Sequence, residues 1–195
     1  MSKIESKLSI SADLGEYGKK TFSNYEDMVN YLVLNRIDYS FSNSNLEHSV
    51  MLINKFVTNI DGIFKLYTKT FKKNIFNNLV LISGIKEFLE RKDTNKLQIL
   101  VEDQSRTVNL IEEDNNIFFD SLREFLINKK IEMKNVNSSS VQNKYRYMVL
   151  GTAYRYCNSG DDEDFSAKVN FNSKTDSGIL QDHFDLIYSQ SSKMA

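Results

Sequence analysis

The segment Leu97-Gln98-Ile99-Leu100-Val101 limits the fold of this chain more than any other. Apolar at nearly every position, it does not read as a strand with one wet face; it has the pattern of a central strand buried on both sides. A strand of that kind needs cover on each face, so helices must flank the sheet on both sides.

The surrounding segments supply that cover. Ser23 and Glu26 form a Ser-x-x-Glu capping pattern before Tyr25, Met28, Val29, Leu32 and Val33, and Ser44 with Glu47 repeats it before Leu46, Val50, Ile53, Phe56, Val57 and Ile60. After Asp61-Gly62, Ile63–Phe71 reads as a strand, and Asn77 and Asn78 lead into a helix over Val80–Arg91. Asp114 or Asn115 can cap a helix through Phe118, Leu122, Phe125 and Leu126, followed by a strand over Ile131–Val136. Tyr145–Tyr156 is strand-like with Gly151-Thr152 at its middle, which suits a hairpin. In Phe165–Asn172 apolar and polar residues alternate, and Ile179, Leu180, Phe184, Ile187 and Tyr188 then form a helical stripe. The expected class is α/β (α+β), a mixed β-sheet flanked by helices.

Composition narrows the function classes. At 195 residues, 41% hydrophobic and 26% charged, the chain has the profile of a folded globular protein. A net charge of −1 argues against a globally basic nucleic-acid binder, though not against a local patch. One cysteine and two histidines rule out a disulfide framework and a multi-cysteine zinc site, and the expected setting is reducing and cytoplasmic. The first ten residues carry no signal-peptide pattern, and no apolar stretch approaches the roughly 20 residues of a membrane span. The absence of proline and the abundance of asparagine suit an AT-rich genome, as in a bacterium or phage. No Walker or dinucleotide-binding glycine pattern is present, so no cofactor is expected.

Several residues could carry chemistry. His48 and His183 could act as general acid or base, or fill structural roles, since no nucleophile is recognisably paired with either. Cys157 is either a reactive thiol or a small buried hydrophobe. Asp161 to Asp164 read as a solvated acidic loop, with spacing unlike a calcium loop. Lys65, Lys69, Lys72 and Lys73 interleave with Phe64, Tyr67 and Phe71, a mixture found on nucleic-acid platforms and equally on charged edge strands.

From about Phe56 to Ser191 the chain resembles a half-domain of the phospholipase D-like fold. The resemblance rests on element order and on Lys144-Tyr145-Arg146-Tyr147-Met148-Val149-Leu150-Gly151, then Tyr154-Arg155, Ala167-Lys168-Val169-Asn170-Phe171-Asn172 and Phe184-Asp185. Active members of that family carry His-x-Lys-x-x-x-x-Asp on the corresponding strand, where the histidine attacks phosphorus and the lysine holds phosphate. Here Lys144 takes the histidine position, Arg146 the lysine position and Gly151 the aspartate position. A protonated lysine is a poor nucleophile, so the resemblance implies a noncatalytic protein. It also implies a homodimer, with Lys144, Arg146, Arg155, Lys168 and Asn170 as candidate ligand-binding residues. The ligand would be nucleic acid or another phosphate compound. A histidine- or metal-dependent phosphodiesterase or nuclease, and a protein-binding component of a bacterial operon or mobile element such as phage defence, stay open as alternatives. Residues 1–43 are expected to form an N-terminal helical extension or small lobe, and residues 44–195 the phospholipase D-like domain.

Overall fold

A computed structural model describes residues 9–69, 71, 73–103, 116–136, 146–157 and 165–193. In chain order the elements begin with β1 (Ile10–Asp13), β2 (Lys19–Phe22), α1 (Tyr25–Leu34), β3 (Phe41–Asn43) and α2 (Leu46–Asn59). Next come β4 (Ile63–Thr68), α3 (Lys73–Phe76), α4 (Leu79–Arg91), β5 (Lys96–Val101), α5 (Ile117–Ser121) and α6 (Arg123–Ile127). The chain continues through β6 (Ile131–Asn135), β7 (Arg146–Leu150), β8 (Ala153–Cys157), β9 (Ala167–Asn170), α7 (Lys174–Gln190) and β10 (Ser192–Lys193).

Eight strands form one mixed sheet in the order β10-β6-β5-β4-β7-β8-β9-β3. β4, β5 and β6 run parallel, and the remaining pairings are antiparallel. β5 lies inside the sheet, and side chains alternate across it as its apolar run requires. Leu97, Ile99 and Val101 enter a large core with Phe64, Leu66, Met148 and Val169, covered by α1, α2, α4, α5 and α6. Leu100 enters a second core with Tyr67, Tyr147, Val149 and Tyr154, closed by Phe184 and Ile187 of α7. Each fully buried phenylalanine, such as Phe56, Phe64 or Phe88, contributes roughly 1.5–3 kcal/mol through removal from water.

The helix starts differ from the capping pattern by one residue. Asn24, and not Ser23, caps α1, its side chain accepting from Asp27 N at 2.9 Å; Asn45, and not Ser44, caps α2, accepting from His48 N at 2.8 Å. An asparagine directly before the first helical residue satisfies an orphan N–H that the upstream serine does not. Asn78 caps α4 in the same way. Gly151, at φ +56°, makes the tight β7–β8 turn that a residue with a Cβ strains to adopt.

The N-terminal segment is more than helical. It holds a β1–β2 hairpin, and β3 pairs with β9, Phe41 opposite Val169 and Asn43 opposite Ala167. Met28, Val29 and Leu32 of α1 sit in the same core as the sheet. Residues before position 44 thus contribute a strand and a helix to the main body.

The lysine-aromatic segment occupies neither of its expected settings. β4 is interior to the sheet, and Phe64, Tyr67 and Phe71 are all buried. Lys65 is buried too, its Nζ 2.8 Å from Asp185 Oδ2 on α7. Lys69 is exposed, Lys72 lies outside the described residues, and the aromatic rings offer no platform for bases.

Candidate functional site

β4, β5, β6 and β8 all end at one edge of the sheet, and β7 and β9 begin there. Ligands of open α/β sheets collect at the carboxyl ends of parallel strands, where loops meet and backbone groups are free of the ladder. Arg146 opens β7 at this edge and pairs in register with Cys157 at the end of β8. Arg146, Arg155 and Cys157, with Thr68 and Met148, line a narrow recess of about 20 Å3. That volume holds one water-sized group and excludes a nucleotide.

Arg155 is buried and committed to the fold. Nε donates to Asn43 Oδ1 at 3.2 Å, Nη1 to Cys157 Sγ at 3.0 Å, and Nη2 to Ser49 Oγ at 3.0 Å and to the Phe165 carbonyl at 2.8 Å. Four of its five N–H groups are thereby used within the protein. Asn43 reinforces the knot by donating to Ser49 Oγ and to the Phe165 carbonyl, both at 3.0 Å. Cys157 is buried, as the second of its two readings has it.

The other candidates face away from this pair. Asn170 aligns with Tyr154, and Lys168 with Tyr156, so both lie on the α7 side of the sheet, whereas Arg155 aligns with Val169 on the opposite side. Asn170 is buried, donating to Asp38 Oδ1 at 2.7 Å and accepting from Asn172 N at 2.8 Å. Lys168 is exposed, 3.6 Å from Asp176 Oδ2, and the Tyr154 phenol beside it, then Asp176, hold its ammonium above the ordinary pKa. The structure therefore brings Arg146 and Arg155 together and sets Lys168 and Asn170 apart from them, because strand alternation sends neighbours in sequence to opposite faces. Lys144 and the run Asp161 to Asp164 lie outside the described residues.

A layer of tyrosines lies between α7 and the sheet. Tyr67 donates to Glu102 at 2.7 Å, Tyr154 to Asp176 at 2.8 Å and Tyr188 to Glu132 at 2.8 Å, while Tyr147 Oη lies 2.8 Å from His183 Nδ1. Burial raises all four phenols and lowers the His183 imidazole. This layer is not legible in the sequence, since each polar partner is remote along the chain from its tyrosine.

No family model and no curated protein matches the sequence. Solved structures do match in shape. Nuc, a phospholipase D family member from Salmonella typhimurium, aligns with TM-score 0.54 and 9% identity over 80% of this chain and 97% of its own. NucT from Helicobacter pylori aligns with TM-score 0.56 and 6% identity over 80% and 99%. This chain has a phospholipase D-like fold. TrmBL2, an archaeal chromatin protein with a novel mode of DNA binding, aligns with TM-score 0.57 and 10% identity over 87% of this chain. The chain spans 61% of that protein's length.

Within the phospholipase D-like fold, neither of the chain's two histidines lines the recess with Arg146. His183 lies on the opposite face of the sheet, against Tyr147 and Tyr67. His48 stacks flat on Tyr25, ring centroids 3.8 Å apart, beside the β3 edge. Among the described residues, no three His, Cys, Asp or Glu side chains gather as a metal site, and no helix is long and apolar enough to cross a membrane.

Proposed function

We propose that this chain is a noncatalytic binding module that holds a phosphate-containing ligand, foremost nucleic acid, at the sheet edge marked by Arg146. The observation that carries the reading is that neither histidine lines the recess at that edge. One faces the opposite side of the sheet and the other is stacked on Tyr25. Hydrolysis through a phosphohistidine needs an imidazole within bonding reach of phosphorus. The sequence also contains no His-x-Lys spacing anywhere.

Two facts support the ligand class. Arg146 supplies a guanidinium suited to phosphate, and Lys69 is exposed at the same end of the neighbouring strand. A DNA-binding chromatin protein shares the fold. In this reading the ligand sits at the mouth of the narrow recess, against the largely buried Arg146, with Arg155 holding the wall and the sequence neighbour Lys144 adding a second cation. In this reading two copies pair so that both Arg146 edges face one ligand.

The test is incubation of labelled single- and double-stranded oligonucleotides with the protein, followed by separation of bound, free and cleaved species. Retention without cleavage, reduced in Lys144→Ala/Arg146→Gln, is the expected outcome. Cleavage products that scale with protein would remove the noncatalytic reading, and an absence of retention would remove the nucleic-acid one. Sedimentation of the free protein tests the pairing.

A further inference from the structure

The groove between α2 and α4 is unoccupied by any described part of the chain. Leu79 and Val80, the first two residues of α4, are 68% and 64% exposed. Val80 lines both of two adjoining recesses of about 410 Å3 each, and Leu79 lines one of them. One is floored by Leu46, Val50, Met51 and Val80, the other by Thr58, Leu79, Val80 and Gly84, and Asn54 lies where they join. Gly84 leaves room at the floor for Asn54 Oδ1, which a Cβ there would displace. The described charges on the rim are Glu26, Glu47 and Glu87, against a single Lys55 that is itself 3.7 Å from Glu26.

We infer that this groove is a docking surface for a basic amphipathic helix of a partner protein. The length fits: α2 from Leu46 to Thr58 runs about 18 Å, three and a half turns of a bound helix. The α2 residues that line the two recesses run from Leu46 to Thr58, a span over which apolar anchors at i and i+7 of a bound helix can reach both, as in other helix-in-groove interfaces. The three rim carboxylates then face the polar side of a lysine- or arginine-bearing helix.

Charge selects this occupant over a second copy of the chain. No described helix of eight residues or more carries net positive charge, since α1 and α7 are acidic and α2 and α4 balance. The exposed apolar residues of α7, Ile179 and Leu186, flank Asp182 and Asp185, which the acidic rim would repel.

The test uses a fluorescein-labelled peptide of leucine and lysine, about 18 residues or five turns, with leucines at helical spacing, and a counterpart with glutamate for every lysine. The lysine peptide is expected to bind and gain helical circular dichroism, and the glutamate peptide is not. Val80→Asp is the deciding variant. It removes the shared apolar surface yet adds negative charge, and aspartate in the first turn of a helix is well tolerated, which a thermal melt verifies. Groove docking predicts about tenfold weaker binding in Val80→Asp, the loss of one buried apolar side chain. Glu47→Gln/Glu87→Gln is expected to weaken binding as well. Unchanged or tighter binding in Val80→Asp would reduce the attraction to surface charge and overturn the inference. So would failure of the lysine peptide to bind, or a dimer in sedimentation that Val80→Asp dissolves.

Discussion

The guanidinium of Arg155 lies 3.0 Å from the hydroxyl oxygen of Ser49, a bond that joins β8 to the first turn of α2 across 106 positions of sequence. Together with the bonds to Asn43 and Phe165 it ties the β3 edge of the sheet to its centre. A buried charge satisfied wholly by neutral groups is costly to disturb. Arg155→Met is expected to cost about 3 kcal/mol, because Asn43 Oδ1 loses its donor inside the core. For a chain of this size that lowers Tm by roughly 6–12 °C in a thermal scan. Arg155→Lys is expected to recover only part of it, since an ammonium cannot span four acceptors fixed for a planar fork.

Lys65 and Asp185 make the complementary case. The lysine is buried and the aspartate is half open to solvent, so removing the acid strands the cation while removing the cation frees an acid that water can reach. Asp185→Asn should therefore destabilise by about 2–3 kcal/mol, and Lys65→Met by much less. Urea unfolding of the two variants measures the asymmetry. Equal costs would mean that α7 is not held by this pair.

The pH dependence follows from His183 and Asp61. Burial lowers the His183 pKa below its ordinary 6.5, so the folded state keeps the imidazole neutral against Tyr147. As pH falls below about 6.5 the unfolded chain takes up that proton first, and stability drops until the folded pKa is passed. His183→Gln is expected to flatten this limb in chemical unfolding series between pH 5 and 8.

Asp61 behaves in the opposite range. Lys92, then Asn95 and Arg91, hold its carboxyl well below the usual carboxylate range. Its contribution is complete above the ordinary carboxylate pKa and is lost as pH falls through the depressed one. Asp61→Asn should thus lower stability at neutral pH and converge with wild type in strong acid, which acid unfolding curves of the pair check.

What the sequence discloses follows from how local each signal is. The run Leu97–Val101 predicts an interior strand, and β5 is one; the alternation around Val169 and the Gly151-Thr152 turn are equally local and equally visible. β1, β2 and β3 are too short for a period to declare itself, and β3 is held by pairing with residues more than 120 positions away. The last helix stripe is right in Phe184 and Ile187, but Ile179 falls on the solvent flank, one helical step round from Leu180. Of the candidate site, Arg146 and Arg155 share one face, whereas Lys168 and Asn170 share the other, a split decided by β8–β9 register. Basic residues strung along neighbouring strands look like a cluster in sequence; only the register assigns them to sides.

On the proposed function, Arg146 and its neighbours hold phosphate without breaking it. Affinity of the protein for a labelled oligonucleotide, measured across a salt series for wild type and Arg146→Gln, tests it most directly. Binding is expected to weaken linearly on a log–log plot, with the oligonucleotide uncut throughout. In the variant the slope is expected to be shallower by about 0.7–0.9, because one fewer phosphate is neutralised and fewer counterions are released. Identical slopes for the two proteins, or cleavage of the probe, would contradict it.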